Sequence, residues 1–80
     1  MIRYKIDIVK ALKDAGYKPQ FIRDNNIFGQ STMTKFNNND TNITLKNINT
    51  ICQILNCQPS DLIEFIPDSY TDKPIIKPDI

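Results

Sequence analysis

Lys18-Pro19-Gln20-Phe21-Ile22-Arg23-Asp24-Asn25-Asn26-Ile27-Phe28-Gly29-Gln30-Ser31-Thr32-Met33-Thr34-Lys35-Phe36-Asn37-Asn38 is the stretch on which the fold turns. Pro19 suits the first turn of a helix, where its missing N–H costs nothing, and Phe21 and Ile22 give that helix, running to about Asn25, a buried side. Residues 25–29 interrupt it, because Asn tolerates positive φ and Gly adopts it freely. From Gln30 the chain reads as helix again over residues 30–38. Met33 and Phe36, three apart, face inward, and Gln30, Ser31, Thr34 and Lys35 are left on the outer side.

Working outward, Asp7 is placed to cap a helix over residues 7–15. Its apolar stripe is Ile8, Leu12 and Ala15, flanked by Val9 and Ala11, and Gly16 ends it in the left-handed conformation. On the other side, residues 37–42 read as loop, since Asn, Asp and Thr side chains compete for backbone hydrogen bonds, and Ile43 tucks in at the loop's end. Thr44 is a good N-cap for the longest helix, in which Leu45, Ile48, Ile51, Cys52 and Leu55 recur at intervals of three and four. Asn56 or Cys57 ends that helix. Pro59 at the first helical position, with Asp61 near the positive end of the dipole, starts a fifth helix carrying Leu62, Ile63, Phe65 and Ile66, and Pro67 stops it. No run of strict alternation interrupts this series, so the fold expected is all-α. Phe21, Met33, Phe36, Leu45, Ile48, Ile51 and Leu55 are its core. Residues 1–67 form the domain, and residues 68–80, with Pro74 and Pro78 around Ile75 and Ile76, read as an extended or disordered tail.

A chain of 80 residues, 40% hydrophobic and 24% charged, makes one globular domain and has no room for a deep substrate cavity. Its net charge of +1 hides an uneven distribution. Residues 1–46 carry Arg3, Lys5, Lys10, Lys13, Lys18, Arg23, Lys35 and Lys46 against four aspartates, a net +4, whereas residues 47–72 have no Lys or Arg and four acids. One pole is therefore suited to phosphate and the other to water or a protein partner. Cys52 and Cys57 are five apart and the chain has no His, so neither zinc-ligand nor redox-pair spacing is met; the thiols read as small buried apolar groups in a reducing cytoplasm. No metal or cofactor is expected. Without His, a G-x-S-x-G elbow or a Gly-rich phosphate loop, the chain is not read as an enzyme, and Asp61 and Glu64 look like helix-start charges rather than a catalytic pair. Nothing at the N-terminus has the apolar core of a signal peptide and no run is long enough to span a bilayer, so a cytoplasmic protein without membrane contact is expected.

Two short helices across a tight turn, the second polar on one side and apolar on the other, are the elements of a helix-turn-helix, whose second helix docks in the major groove of DNA. The order of that unit, a polar loop, a long helix and a Pro-initiated helix resembles the Cro/CI-type, or xenobiotic-response-element-like, family of regulators over about residues 6–66. The resemblance is carried by Gln30-Ser31-Thr32-Met33-Thr34-Lys35-Phe36, which are similar to the family's recognition helix, by Thr44-Leu45-Lys46-Asn47-Ile48, and by residues 51–62 from Ile51 through Cys57-Gln58-Pro59 to Leu62. It implies a compact five-helix bundle of the lambda-repressor-like DNA-binding type and a repressor-like transcriptional regulator that binds double-stranded DNA. Two departures stand out: Arg23 where the family usually has Ala, and Ile27 where it often has Gly. A bulky Arg23 must either turn to solvent or hold the two helices further apart.

On this reading Gln30, Ser31, Thr34 and Lys35 read bases. Gln matches adenine N6 and N7, Lys reaches guanine O6 or N7, and hydroxyls serve donors or acceptors. Lys18, Gln20, Arg23, Asn38, Asn39, Thr44 and Lys46 flank that helix as phosphate contacts. Leu62, Ile63, Phe65, Ile66, Ile75 and Ile76 supply more apolar groups than one helical stripe can bury and form a candidate homodimer surface, unless they close the monomer's own core. The competing reading is a protein-interaction module on the same fold, such as a phage or mobile-element protein that binds another regulator without touching DNA. A negative environment around residues 30–35 would favour it.

Overall fold

The computed structural model describes residues 1–67. Five helices, α1 (Ile8–Asp14), α2 (Pro19–Asp24), α3 (Gln30–Asn37), α4 (Leu45–Leu55) and α5 (Pro59–Leu62), are framed by two strands, β1 (Ile2–Tyr4) and β2 (Ile63–Phe65). The strands pair antiparallel, with Ile2 opposite Phe65, Arg3 opposite Glu64 and Tyr4 opposite Ile63.

Helix starts follow the sequence closely. The Asp7 carboxylate accepts from the Lys10 N–H at 3.1 Å, and the Thr44 hydroxyl accepts from the Asn47 N–H at 3.1 Å. Each satisfies one of the amides that a helix leaves unpaired at its N-terminus. At the start of α5, Asp61 Oδ2 accepts from the Gln58 N–H at 2.9 Å.

The helix ends share one device. Gly16, Asn26, Asn39 and Asn56 all have positive φ, at 93°, 52°, 56° and 52°. The N–H of the residue after each returns to a carbonyl five residues back: Tyr17 to Leu12, Ile27 to Ile22, Asp40 to Lys35 and Cys57 to Cys52. This is the Schellman closure of α1 to α4, and Asn enters the left-handed region more readily than other side-chain-bearing residues. The abundance of Asn thus has a structural use at three of four helix ends. Gly29, by contrast, sits at φ −69° as the N-cap of α3, so the freedom read for the turn belongs to Asn26.

The core consists of Ile8, Leu12, Ile22, Phe28, Phe36, Ile48, Ile51 and Leu62. Phe28, read from the sequence as part of the turn, stands edge-on to Phe36 with ring centroids 5.2 Å apart. Burying each such side chain contributes roughly 1.5–3 kcal/mol, so the turn residue helps lock α3 against the domain. Met33 and Leu55 pack at the margin of the core. Two residues assigned to it lie outside: Phe21 is 48% exposed and Leu45 85% exposed. Phe21 makes an edge contact with Tyr17 instead, while Leu45 lies in the first turn of α4, where no element packs over it. Ala15 is also exposed, as the C-cap of α1.

The sheet departs from the all-α expectation. The fifth helix, read to Ile66, ends at Leu62, and Ile63–Phe65 turn outward as strand because β1 offers them a hydrogen-bonding edge. The Lys5 N–H donates to the Leu62 carbonyl and the Ile66 N–H to the Met1 carbonyl, each at 2.8 Å, and the Met1 amino group bonds the Ile66 carbonyl. Arg3 and Glu64 add an ion pair at 2.9 Å on one face. On the other, Tyr4 and Ile63 cover the core, and the Tyr4 hydroxyl donates to the Asp40 carbonyl at 2.7 Å. Burial, with the Asp40 charge second, pushes the Tyr4 phenol up, so it stays a donor. The chain's N-terminus is thereby tied to the loop after α3.

Candidate nucleic-acid interface

Helix α3 buries Phe36 and half-buries Met33, while Gln30, Ser31, Thr34 and Asn37 are exposed. Positions 30, 34 and 37 recur at the spacing that lines one side of a helix, so these residues make a continuous polar face. Asn37 falls where the expected helix, residues 30–38, and the expected loop, residues 37–42, overlap; it is the last residue of α3 and belongs to the face. Its spacing of three from Thr34 and seven from Gln30 was the available signal. Thr34 Oγ donates to the Gln30 carbonyl at 3.0 Å, which keeps the hydroxyl oxygen available as an acceptor.

Of the four base-reading candidates, Gln30, Ser31 and Thr34 stand on this face. Lys35 is set apart: it is half-buried, and its Nζ donates to the Asn42 carbonyl at 2.9 Å. That bond closes the loop of residues 38–42 onto α3, assisted by Asp40 Oδ1 accepting from the Asn42 N–H at 2.8 Å.

The phosphate candidates are all exposed. Lys18 is the N-cap of α2, Asn38 the C-cap of α3, Asn39 its left-handed successor, and Thr44 and Lys46 begin α4. Arg23 is exposed, the first of the two outcomes open to a bulky residue at that position. Ile27 accepts its place because the adjacent Asn26 takes the left-handed conformation. Gln20 is engaged, donating Nε2 to Asp24 Oδ1 at 2.9 Å. The two helices of the unit also lack a side-chain cap: neither Lys18 before α2 nor Gly29 before α3 supplies an acceptor to the first-turn N–H groups. Those first-turn donors are left without a side-chain acceptor.

A groove of about 330 Å³ runs between α1 and the α2–α3 unit; Val9, Ile22, Phe28 and Met33 line its apolar part, and Lys13, Arg23, Gln30, Thr34 and Asn37 its polar part. No carboxylate lines it. On this side the polar face of α3 borders Lys13 and Arg23, and Asp7 lines the adjoining groove that Asn37 shares. Lys13 escaped the sequence reading because only the packing of α1 on α3, residues distant along the chain, brings it there.

The remaining candidate surface needs correction. Leu62 is fully buried and Ile63 packs against the core, so both close the monomer rather than wait for a partner. Phe65 is 64% exposed and Ile66 half-buried; Ile75 and Ile76, with the tail assigned to residues 68–80, lie outside the described residues. Asp61 and Glu64 are on different elements, engaged with Gln58 and Arg3. Cys52 and Cys57 are free thiols, both half-buried, and desolvation, then the neighbouring Cys52, pushes the Cys57 thiol up, which suits an inert packing role. Among the described residues no helix is long and apolar enough to cross a membrane.

Comparison with the curated proteins and with the solved structures gives no significant match. A family model, that of the Cro/C1-type helix-turn-helix DNA-binding domain, matches residues 8–68, spanning α1 to β2 and including the turn and the polar face of α3. With most of its length matched and with the helix order, turn and outward polar helix in place, the chain belongs to the Cro/C1-type helix-turn-helix family of DNA-binding regulators.

Proposed function

We propose that this chain is a sequence-specific, repressor-like transcriptional regulator that lays α3 in the major groove and reads base edges with Gln30, Ser31 and Thr34, joined by Asn37. The observation that carries the reading is the continuous exposed polar face of α3 beside a groove without carboxylates. Gln and Asn amides match adenine N6 and N7, and hydroxyls serve either partner. Lys18 and Arg23 on one side, with Asn38, Asn39, Thr44 and Lys46 on the other, are suited to the two phosphate strands that border the groove. Lys35 acts through the loop it holds rather than on a base.

Selection of binding sites from random duplex DNA tests this directly. Enrichment of a short motif, with affinity falling as salt rises, is the expected result. Unenriched pools and salt-independent retention would move the chain to the protein-interaction reading.

A module reading a few base pairs gains specificity as a two-fold dimer with recognition helices about 34 Å apart. The surface suited to this is the overhanging end of the sheet, where Ile2 and Phe65 stand opposite each other beside Met1, at 43%, 64% and 61% exposure. Sedimentation with the selected duplex should give two chains per site, reduced to one by Phe65→Ser. One wild-type chain per site at full affinity would remove the dimer and leave the DNA reading standing.

A further inference from the structure

The cations that line the groove beside α3 come from two helices. Lys13 belongs to the last turn of α1 and Arg23 to the last turn of α2, and both line the opening that Gln30, Thr34 and Asn37 border from the other side. Lys13 and Asn37 also line an adjoining groove of about 250 Å³, where Asn39 and the carboxylate of Asp7, the N-cap of α1, join them. The neighbouring Lys10 is committed to Asp14 at 3.2 Å. Lys13 and Arg23 make no ion pair among the described residues, and no acid lines the larger groove, so their charges are available to an anion approaching α3.

We propose that Lys13, with Arg23, forms a clamp for a backbone phosphate of the DNA strand that passes α3 on its α1 side. The proposal rests on the major-groove reading of α3 and adds α1 as a contact element. A long lysine stem can lie along the apolar lining of Val9 and Met33 while its ammonium reaches the groove mouth. A phosphate oxygen at the mouth of the larger groove would meet two cations and no carboxylate in its lining, since Asp7 lies in the adjoining groove and accepts from the Lys10 N–H, and its neutralisation would release counterions. Such a contact adds affinity on every sequence alike and orients α3 without reading a base.

The test is the salt dependence of binding to mixed-sequence duplex DNA by the full chain, comparing wild type with Lys13→Gln, Lys13→Arg and Lys5→Gln. Lys5 serves as the control of equal charge change, since its ammonium is held by the Ser60 carbonyl at 3.1 Å. Loss of one phosphate contact lowers the slope of log K against log salt by about 0.9. That loss is expected for Lys13→Gln, with the slope kept in Lys13→Arg and Lys5→Gln. Equal slopes for wild type and Lys13→Gln, or an equal loss in Lys5→Gln, overturn the clamp while leaving α3 in the groove. A Lys13→Arg variant as weak as Lys13→Gln also overturns it, because charge is then not what Lys13 supplies. Wild-type protein that binds no duplex overturns the clamp and the DNA reading together.

Discussion

Helices α1 and α4 differ from α2 and α3 at their N-termini. The first pair is sealed by side chains, Asp7 and Thr44 accepting from first-turn amides, while the second pair begins at Lys18 and Gly29 with no side-chain acceptor. Burial follows the same division: α1 and α4 each bury two residues fully, α2 and α3 one each. Capping and burial stabilise a helix at the expense of free donors and free surface. The sealed pair is built as scaffold, and the open pair keeps free the donors and the polar face that the proposed DNA contact would use.

The largest test of this division is Phe36→Ala. Phe36 is the only residue that α3 buries fully, so its loss should cost about 3–5 kcal/mol in denaturant unfolding; a loss below about 1 kcal/mol would mean α3 is not anchored through it. Next, Gln30→Ala should leave unfolding unchanged but weaken binding to the selected site by about 1–3 kcal/mol and relax preference at one position. An equal loss on all sequences would reassign Gln30 to phosphate contact. Thr44→Ala, which removes a scaffold cap, should lower stability by about 0.5–2 kcal/mol, read from the urea midpoint.

The smallest effect has the sharpest meaning. Gly29 has an extended backbone at φ −69° and open space around an added Cβ, so Gly29→Ser can install the missing cap on α3. Stability should rise by a few tenths of a kcal/mol, while DNA affinity falls as the new hydroxyl competes for the first-turn amides. A variant both more stable and tighter in binding would break the link between the open cap and function.

The helices were legible because their signals are local. Asp7 and Thr44 mark starts within one turn of the amides they satisfy, Pro19 and Pro59 mark them by having no first-turn N–H to satisfy, and the spacing of Ile48, Ile51 and Leu55 is set by helix geometry alone. The outer face of α3 followed from the same periodicity, except for Asn37, which the Asn-rich composition of residues 37–42 assigned to the loop as well. By itself, then, the sequence determined the order of the helices, most of their limits and most of the exposed polar face of α3. Tertiary structure alone decided the rest. Strands of three residues leave no readable alternation, and β1 and β2 meet across some sixty positions, so the sheet, the shortened α5 and the burial of Leu62 exist only once these two segments come together. Phe28 went into the core and Phe21 and Leu45 to the surface for the same reason: helical period says which residues share a side, but only the neighbouring element determines whether that side is covered.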